Sequence, residues 1–260
     1  GYYHRWDSGY NEQRNIFAQP GTLQVISADE FWGYRDSGVN VLARFAPDRR
    51  VEYFAGYDLQ RYSGEDEVLL IAPNTEVVNA VFGQVRTTRD LMPKATFAFG
   101  ARYNAPSHSK NAAVWNTSGQ YDFTPALFAR ATVGTAFRYP DAYELFAQDP
   151  TCCFGNPNLE PEKSTNFNGS IGHRLTSGQV ALTLEATGFF RSVTNLIVDE
   201  DDGSGETTIA MNSPGKVRVK GVSLAGSGQL TPEVSASLSY TYAKSERNDL
   251  AGGYSSITGI

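Results

Sequence analysis

The residues best equipped for chemistry lie in one short stretch: Arg138, Tyr139, Tyr143 and Phe146. A guanidinium pairs with carboxylate or catecholate oxygens, and aromatic faces supply contact area. The set therefore suits the grasp of a bulky, partly aromatic, anionic ligand. Each member also has a plainer reading. Arg138 can line the rim of a strand end, where Pro140 stops pairing because it lacks an N–H. The aromatics can pack their loop on itself. The prolines of the run 155–164 fix φ near −65° and suit a rigid extended connection. Cys152 and Cys153 are adjacent, and a vicinal or loop-bracing disulfide is the expected state outside the cytoplasm. Asp199-Glu200-Asp201-Asp202-Gly203 reads as a solvated acidic loop, with the start of a calcium site as the alternative. His4, His108 and His173 are scattered and read as ordinary polar residues. There is no CxxC or paired His/Cys spacing, no nucleophile–base set and no Gly-rich phosphate loop. No catalytic residue, metal or cofactor is expected.

The composition narrows the class. The 260 residues include 15 Phe and 14 Tyr, which excludes a disordered acidic tail. A net charge of −6 without a basic stripe argues against a nucleic-acid partner. Mean hydropathy is −0.36, and no run approaches the ~18 apolar residues of a membrane-spanning helix. The chain starts at Gly1 and stops within Ser255-Ser256-Ile257-Thr258-Gly259-Ile260, so it reads as a piece of a longer protein.

A two-residue period dominates. Ala95, Phe97, Phe99, Ala101 and Tyr103 alternate with Thr96, Ala98, Gly100 and Arg102. Val234, Ala236, Leu238, Tyr240 and Tyr242 alternate with serines and Thr241. The pattern predicts an all-β antiparallel meander of about ten long strands: 28–46, 50–62, 76–89, 94–104, 113–123, 126–138, 163–175, 179–197, 207–229 and 233–246. Residues 1–27 read as a loop with a strand end. Short turns such as Pro47-Asp48-Arg49-Arg50 and Thr176-Ser177-Gly178 alternate with long connections near 63–75, 104–112, 139–162, 197–214 and 243–260.

Strands of this length exceed the usual ~5–6 residues of soluble sheets and reach the ~9–11 that cross a bilayer. Short turns at one end and long loops at the other are the outer-membrane pattern. On that reading Val51, Tyr53, Tyr57, Phe97, Phe99, Tyr103, Leu182, Leu184, Leu238 and Tyr240 face lipid. Glu52, Asp58, Arg102, Arg130 and Glu185 line the lumen. The rival is a soluble β-sandwich that buries Tyr53, Phe97, Leu182 and Leu238 between two sheets.

The run Phe137-Arg138-Tyr139-Pro140, Tyr143-Glu144-Leu145-Phe146, Gly155-Asn156-Pro157-Asn158-Leu159-Glu160-Pro161-Glu162-Lys163-Ser164 resembles the barrel of TonB-dependent outer-membrane receptors. Supporting matches are Val81-Phe82-Gly83-Gln84-Val85, Phe99-Gly100-Ala101-Arg102-Tyr103, Asn212-Ser213-Pro214-Gly215 with Arg218 and Gly221, and Leu238-Ser239-Tyr240-Thr241-Tyr242. The resemblance covers roughly 50–246. It implies that residues 1–260 are an incomplete part of a transmembrane barrel of about 22 strands, without its plug. It implies active uptake of a scarce nutrient across the outer membrane of a Gram-negative bacterium. A ferric siderophore leads, with cobalamin next; TonB would act through the plug segment, and lipid would surround the barrel. Haem receptors share the boxes Phe137–Pro140 and Asn156–Leu159 and place a His between them; residues 141–155 contain none. A passive porin and a barrel enzyme are the functional rivals. In the full-length receptor, Phe97→Arg or Leu182→Arg near the bilayer midplane should cost about 2–4 kcal/mol of barrel stability in reversible unfolding. Full tolerance of both would reject the facial assignment.

Overall fold

The computed structural model describes residues 1–15, 23–248 and 254–256. Long strands dominate: β1 (Tyr2–Asn15), β2 (Leu23–Phe45), β3 (Val51–Asp66), β4 (Ile71–Thr87), β5 (Ala95–Pro106), β6 (Ala112–Asp122) and β7 (Leu127–Arg138). A short helix α1 (Ala142–Phe146) and two brief strands follow, β8 (Gln148–Asp149) and β9 (Cys153–Phe154). Then come β10 (Glu162–Ser177), β11 (Val180–Thr194), β12 (Ile197–Asp201), β13 (Thr208–Asn212), β14 (Val217–Gln229), β15 (Ser235–Asn248) and β16 (Tyr254–Ser256). Twelve of them form one open antiparallel sheet in the order β1-β2-β3-β4-β5-β6-β7-β10-β11-β14-β15-β16. The other four form a small sheet, β12-β13-β9-β8, at the long-connection end.

Three expectations are corrected. Residues 1–27 are not mainly loop: β1 runs for 14 residues and pairs with β2, which begins at Leu23. The strand expected over 179–197 stops at Thr194, because Asn195 adopts a positive φ of 56° that breaks the extended path. The strand expected over 207–229 is two strands in different sheets. Ser213-Pro214-Gly215-Lys216 separates them, with Pro214 unable to donate and Gly215 so close to the Asn248 carbonyl that a Cβ would not fit. Residues 16–22 of the expected first loop, and 249–253 and 257–260 of the last, lie outside the described residues.

The register sorts side chains onto two faces, because directly paired residues share a face. Tyr53, Val85 and Phe99 align on one, as do Tyr57, Val81 and Tyr103. Leu182, Leu184, Leu238 and Tyr240 fall on that same face. It is open: Tyr53 is 46% exposed, Phe97 47% and Leu238 80%. A soluble sandwich would bury all three, so that architecture is excluded. Among the described residues the buried apolar ones are few, and Phe128 is the one large side chain that is fully buried.

The opposite face is polar and charge-paired. Glu52 lies buried between Arg44 and Arg86, Arg130 pairs with Glu185, and Arg102 meets Asp58 at 2.9 Å. Three of its phenylalanines lie across glycines on the neighbouring strand: Phe82 opposite Gly56, Phe128 opposite Gly172 and Phe189 opposite Gly221. Arginines cap the rings, with Arg174 4.3 Å from the Phe128 centroid and Arg86 5.0 Å from that of Phe54. A Cβ at Gly172 would run into the Phe128 ring. In the full-length barrel, Gly172→Val should cost about 1–3 kcal/mol in reversible unfolding. Phe128→Ala in the same background should remove most of that increment; a fully additive double-mutant cycle would show that the two residues do not touch.

Candidate ligand vestibule at the long-loop end

The loop 139–162 is built rather than slack. Pro140 ends β7, and Asp141 caps α1: its side chain accepts from the Glu144 N–H at 2.9 Å. The Glu144 carboxylate in turn accepts from the Asp141 N–H at 2.9 Å, a reciprocal capping box. The same carboxylate takes two hydrogen bonds from Arg138, at 2.8 and 2.9 Å. Arg138 also donates to Glu162 at 2.8 Å, its direct partner in the β7–β10 ladder. Glu162 accepts from the Ile197 N–H at 3.0 Å. Arg138 is thus a clamp that ties a strand end, a helix cap and the next strand together. Both its terminal nitrogens are engaged.

The proline run is held in place by backbone contacts. Gly155 N–H donates to the Ala147 carbonyl at 2.8 Å and Asn156 N–H to the Glu144 carbonyl at 2.7 Å. A Cβ at Gly155 would sit 2.5 Å from the backbone of Leu145 and Phe146, so only glycine permits this approach. Asn212 grips the far end: its side chain accepts from Glu160 N–H at 2.7 Å and donates to the Glu160 and Asn195 carbonyls at 2.9 Å. Two sequence motifs that lie far apart therefore meet at one asparagine. Cys152 and Cys153 are disulfide-bonded to each other, and Thr208 N–H donates to the Cys152 carbonyl at 3.1 Å. In the acidic loop, Asp201 accepts from Gly203 and Gly205 N–H groups, and Asp202 from Ser204 N–H and the Thr207 hydroxyl. These carboxylates are used to close a turn. Among the described residues, no three or more His, Cys, Asp or Glu are arranged to hold a metal ion.

A cleft of about 490 Å³ opens between this loop and the polar face of β2–β4. Tyr34, Tyr62, Tyr139 and Phe146 give it aromatic walls, and Asp36 and Glu76 border it. Asp36 accepts from the Tyr2 hydroxyl and from Gln60, both at 3.3 Å. Glu76 accepts from Ser107 through its N–H at 2.6 Å and its hydroxyl at 2.8 Å. The Tyr139 hydroxyl is buried and has no hydrogen-bond partner among the described residues. Burial, with the Glu76 charge adding to it, pushes that phenol up to about 12, so it stays a donor. Of the four residues singled out from sequence, Tyr139 and Phe146 share the cleft. Arg138 holds the loop beside it. Tyr143 does not line it; burial and then the charge of Asp199 raise its phenol. Tyr34, Tyr62 and Glu76 were not singled out. Their signal was present, since Tyr62 continues the polar-face alternation of Glu52, Asp58 and Gln60.

An open antiparallel sheet with one charge-paired face and one exposed apolar face is a segment of a transmembrane β-barrel wall. The family model "TonB dependent receptor-like, beta-barrel" matches residues 1–259, and the chain belongs to that family. Solved structures with a similar fold include the siderophore receptor PirA from Acinetobacter baumannii, with a TM-score of 0.72 at 12% identity over 94% of this chain and 44% of that one. A mutant of the ferric enterobactin receptor PfeA from Pseudomonas aeruginosa gives 0.70 at 14% identity, over 96% and 44%. The copper transporter OprC gives 0.66 at 17%, over 86% and 39%. At these identities the likeness is one of fold, and the chain spans less than half of each of those proteins. Glu162→Gln should leave Arg138 held by Glu144 alone and weaken the acceptor for Ile197. We expect faster proteolytic nicking within 147–156 of the full-length receptor, with the barrel strands still protected; an unchanged rate would show that the clamp does not hold the loop.

Proposed function

We propose that the chain is the loop-bearing part of a receptor that takes up a ferric siderophore across the outer membrane by TonB-dependent active transport. The observation that carries this reading is the aromatic cleft at the long-loop end of a wall whose family is that of TonB-dependent receptors. Tyr139 and Phe146 offer flat apolar surface, and the Tyr139 hydroxyl offers an unused donor to a ligand oxygen. Arg138 acts mainly by positioning the loop, and Tyr143 extends the aromatic surface on it. Energy reaches the barrel from TonB through a plug, and the open apolar face contacts membrane lipid. The role is transport rather than catalysis, and no nucleic acid takes part.

The test uses the full-length receptor, inserted and folded. Replacing Arg138, Tyr139 and Tyr143 together with Ala should weaken binding of a ferric catecholate siderophore about tenfold or more, roughly 1.4 kcal/mol. Barrel insertion, followed as the mobility shift between unheated and heated samples, should stay unchanged. Phe146→Ala should weaken binding while leaving the Arg138 clamp intact. Unchanged affinity in both variants would return these residues to a structural role. Uptake that persists in a strain without TonB would point to a passive pore.

A further inference from the structure

A basic groove lies on the apolar side of the sheet, just beyond the apolar belt. Alternation along β3 carries Tyr57, Leu59, Arg61 and Ser63 on one face. Leu59 pairs with Val39, the last apolar pair before the charge begins. Arg61 is next on that face, about 7 Å further along the strand. Ser63, one step beyond, pairs with Arg35, so Arg35 and Arg61 are diagonal neighbours. Arg35 pairs in turn with Arg5 on β1. Three guanidiniums therefore step across three strands at the end that carries the long connections. They border a groove of about 590 Å³ that also includes Asp7, Glu65 and His108.

The charges are poorly compensated within the chain. Arg5 is held by Asp7 at 2.6 and 2.9 Å. The guanidiniums of Arg35 and Arg61 have no ion pair or hydrogen bond to any described residue. On the polar face, by contrast, Arg44, Arg86, Arg102, Arg130 and Arg138 all meet carboxylates. Like charges directly opposite each other in a ladder, as Arg5 and Arg35 are, repel. An anion from outside the chain would relieve that repulsion. The groove is continuous with the lipid-facing belt, and the long-loop end of such barrels is the extracellular one. A lipid-facing belt that ends at Leu59 and Val39 would put the groove at the level of the outer-leaflet headgroup phosphates.

We propose that Arg35 and Arg61, with Arg5, bind the phosphate of a phosphorylated glycolipid in the outer leaflet. The proposal rests on the outer-membrane reading above. The test takes full-length receptor in phosphatidylcholine nanodiscs doped with bis-phosphorylated lipid A or with its dephosphorylated form. Lipid retained on the protein is read by native mass spectrometry. The wild type should retain the phosphorylated form selectively. The double variant Arg35→Gln, Arg61→Gln should retain about tenfold less, and Arg35→Lys, Arg61→Lys most of it. Equal retention of both lipids, or no loss in the Gln variant, overturns the proposal. Displacement of the lipid by millimolar inorganic phosphate also overturns it, since the site would then serve a soluble anion. The heat-dependent mobility shift reports the membrane reading separately: a wild type that fails to insert removes both ideas, and insertion without lipid discrimination removes only this one.

Discussion

Inside hydrocarbon every backbone N–H and C=O must find a partner in the protein. The rest of this structure follows from that constraint. It forces long strands into one continuous ladder, and a ladder forces alternate residues to opposite faces. One face can then be apolar at no cost, because lipid receives it. The other must settle its charges locally. Glu52 between Arg44 and Arg86, and Asp122 near Arg89 and Arg174, show how it does so. At Glu52 a single carboxylate serves arginines on both flanking strands, so those ion pairs run across the ladder and reinforce it.

At the loop end the same economy takes another form. Glu144 caps α1 and holds Arg138, while Arg138 holds Glu162. Removing Arg138 would leave two carboxylates unmatched in a half-buried place, which is costly. Asn212 adds a neutral version of the arrangement, satisfying backbone groups of Glu160 and Asn195 with one amide. The outcome is a platform of fixed shape made largely from segments with little regular structure of their own. Its aromatic side chains are thereby presented at a defined place over the polar face.

Much of this was legible in the sequence because alternation is a local signal. The run from Val51 to Gln60 and the run from Ala95 to Tyr103 each show their faces within ten residues, and both strands form as expected. β1 was missed for the same reason. Tyr2 to Asn15 mixes Arg, Asp, Glu and Gln with aromatics on both faces, so no face looks apolar, and only pairing with β2 makes it a strand. The division between β13 and β14 was hidden because Ile209 and Met211 before Pro214 and Val217 and Val219 after it fall on the same parity, so the alternation reads as one strand. The cleft was half visible. Tyr139 and Phe146 stood out as neighbours in sequence, whereas Tyr34 on β2 and Tyr62 on β3 join them only through the fold that brings the loop after β7 over these strands.

The cross-strand contact of phenylalanine with glycine has a consequence for how the wall assembles. Alternation forbids a slip of one residue, which would turn every side chain to the wrong side. It says nothing against a slip of two, which leaves both faces intact. The rings do. If β10 moved by two positions against β7, Phe128 would meet Ser170 or Arg174 in place of Gly172. Phe82 would meet Phe54 or Asp58 in place of Gly56, and Phe189 would meet Val219 or Ser223 in place of Gly221. Each ring is a key that fits one notch, so the facing of each strand is set by hydrophobicity while the stagger of the wall at these pairs is set by a few absent side chains.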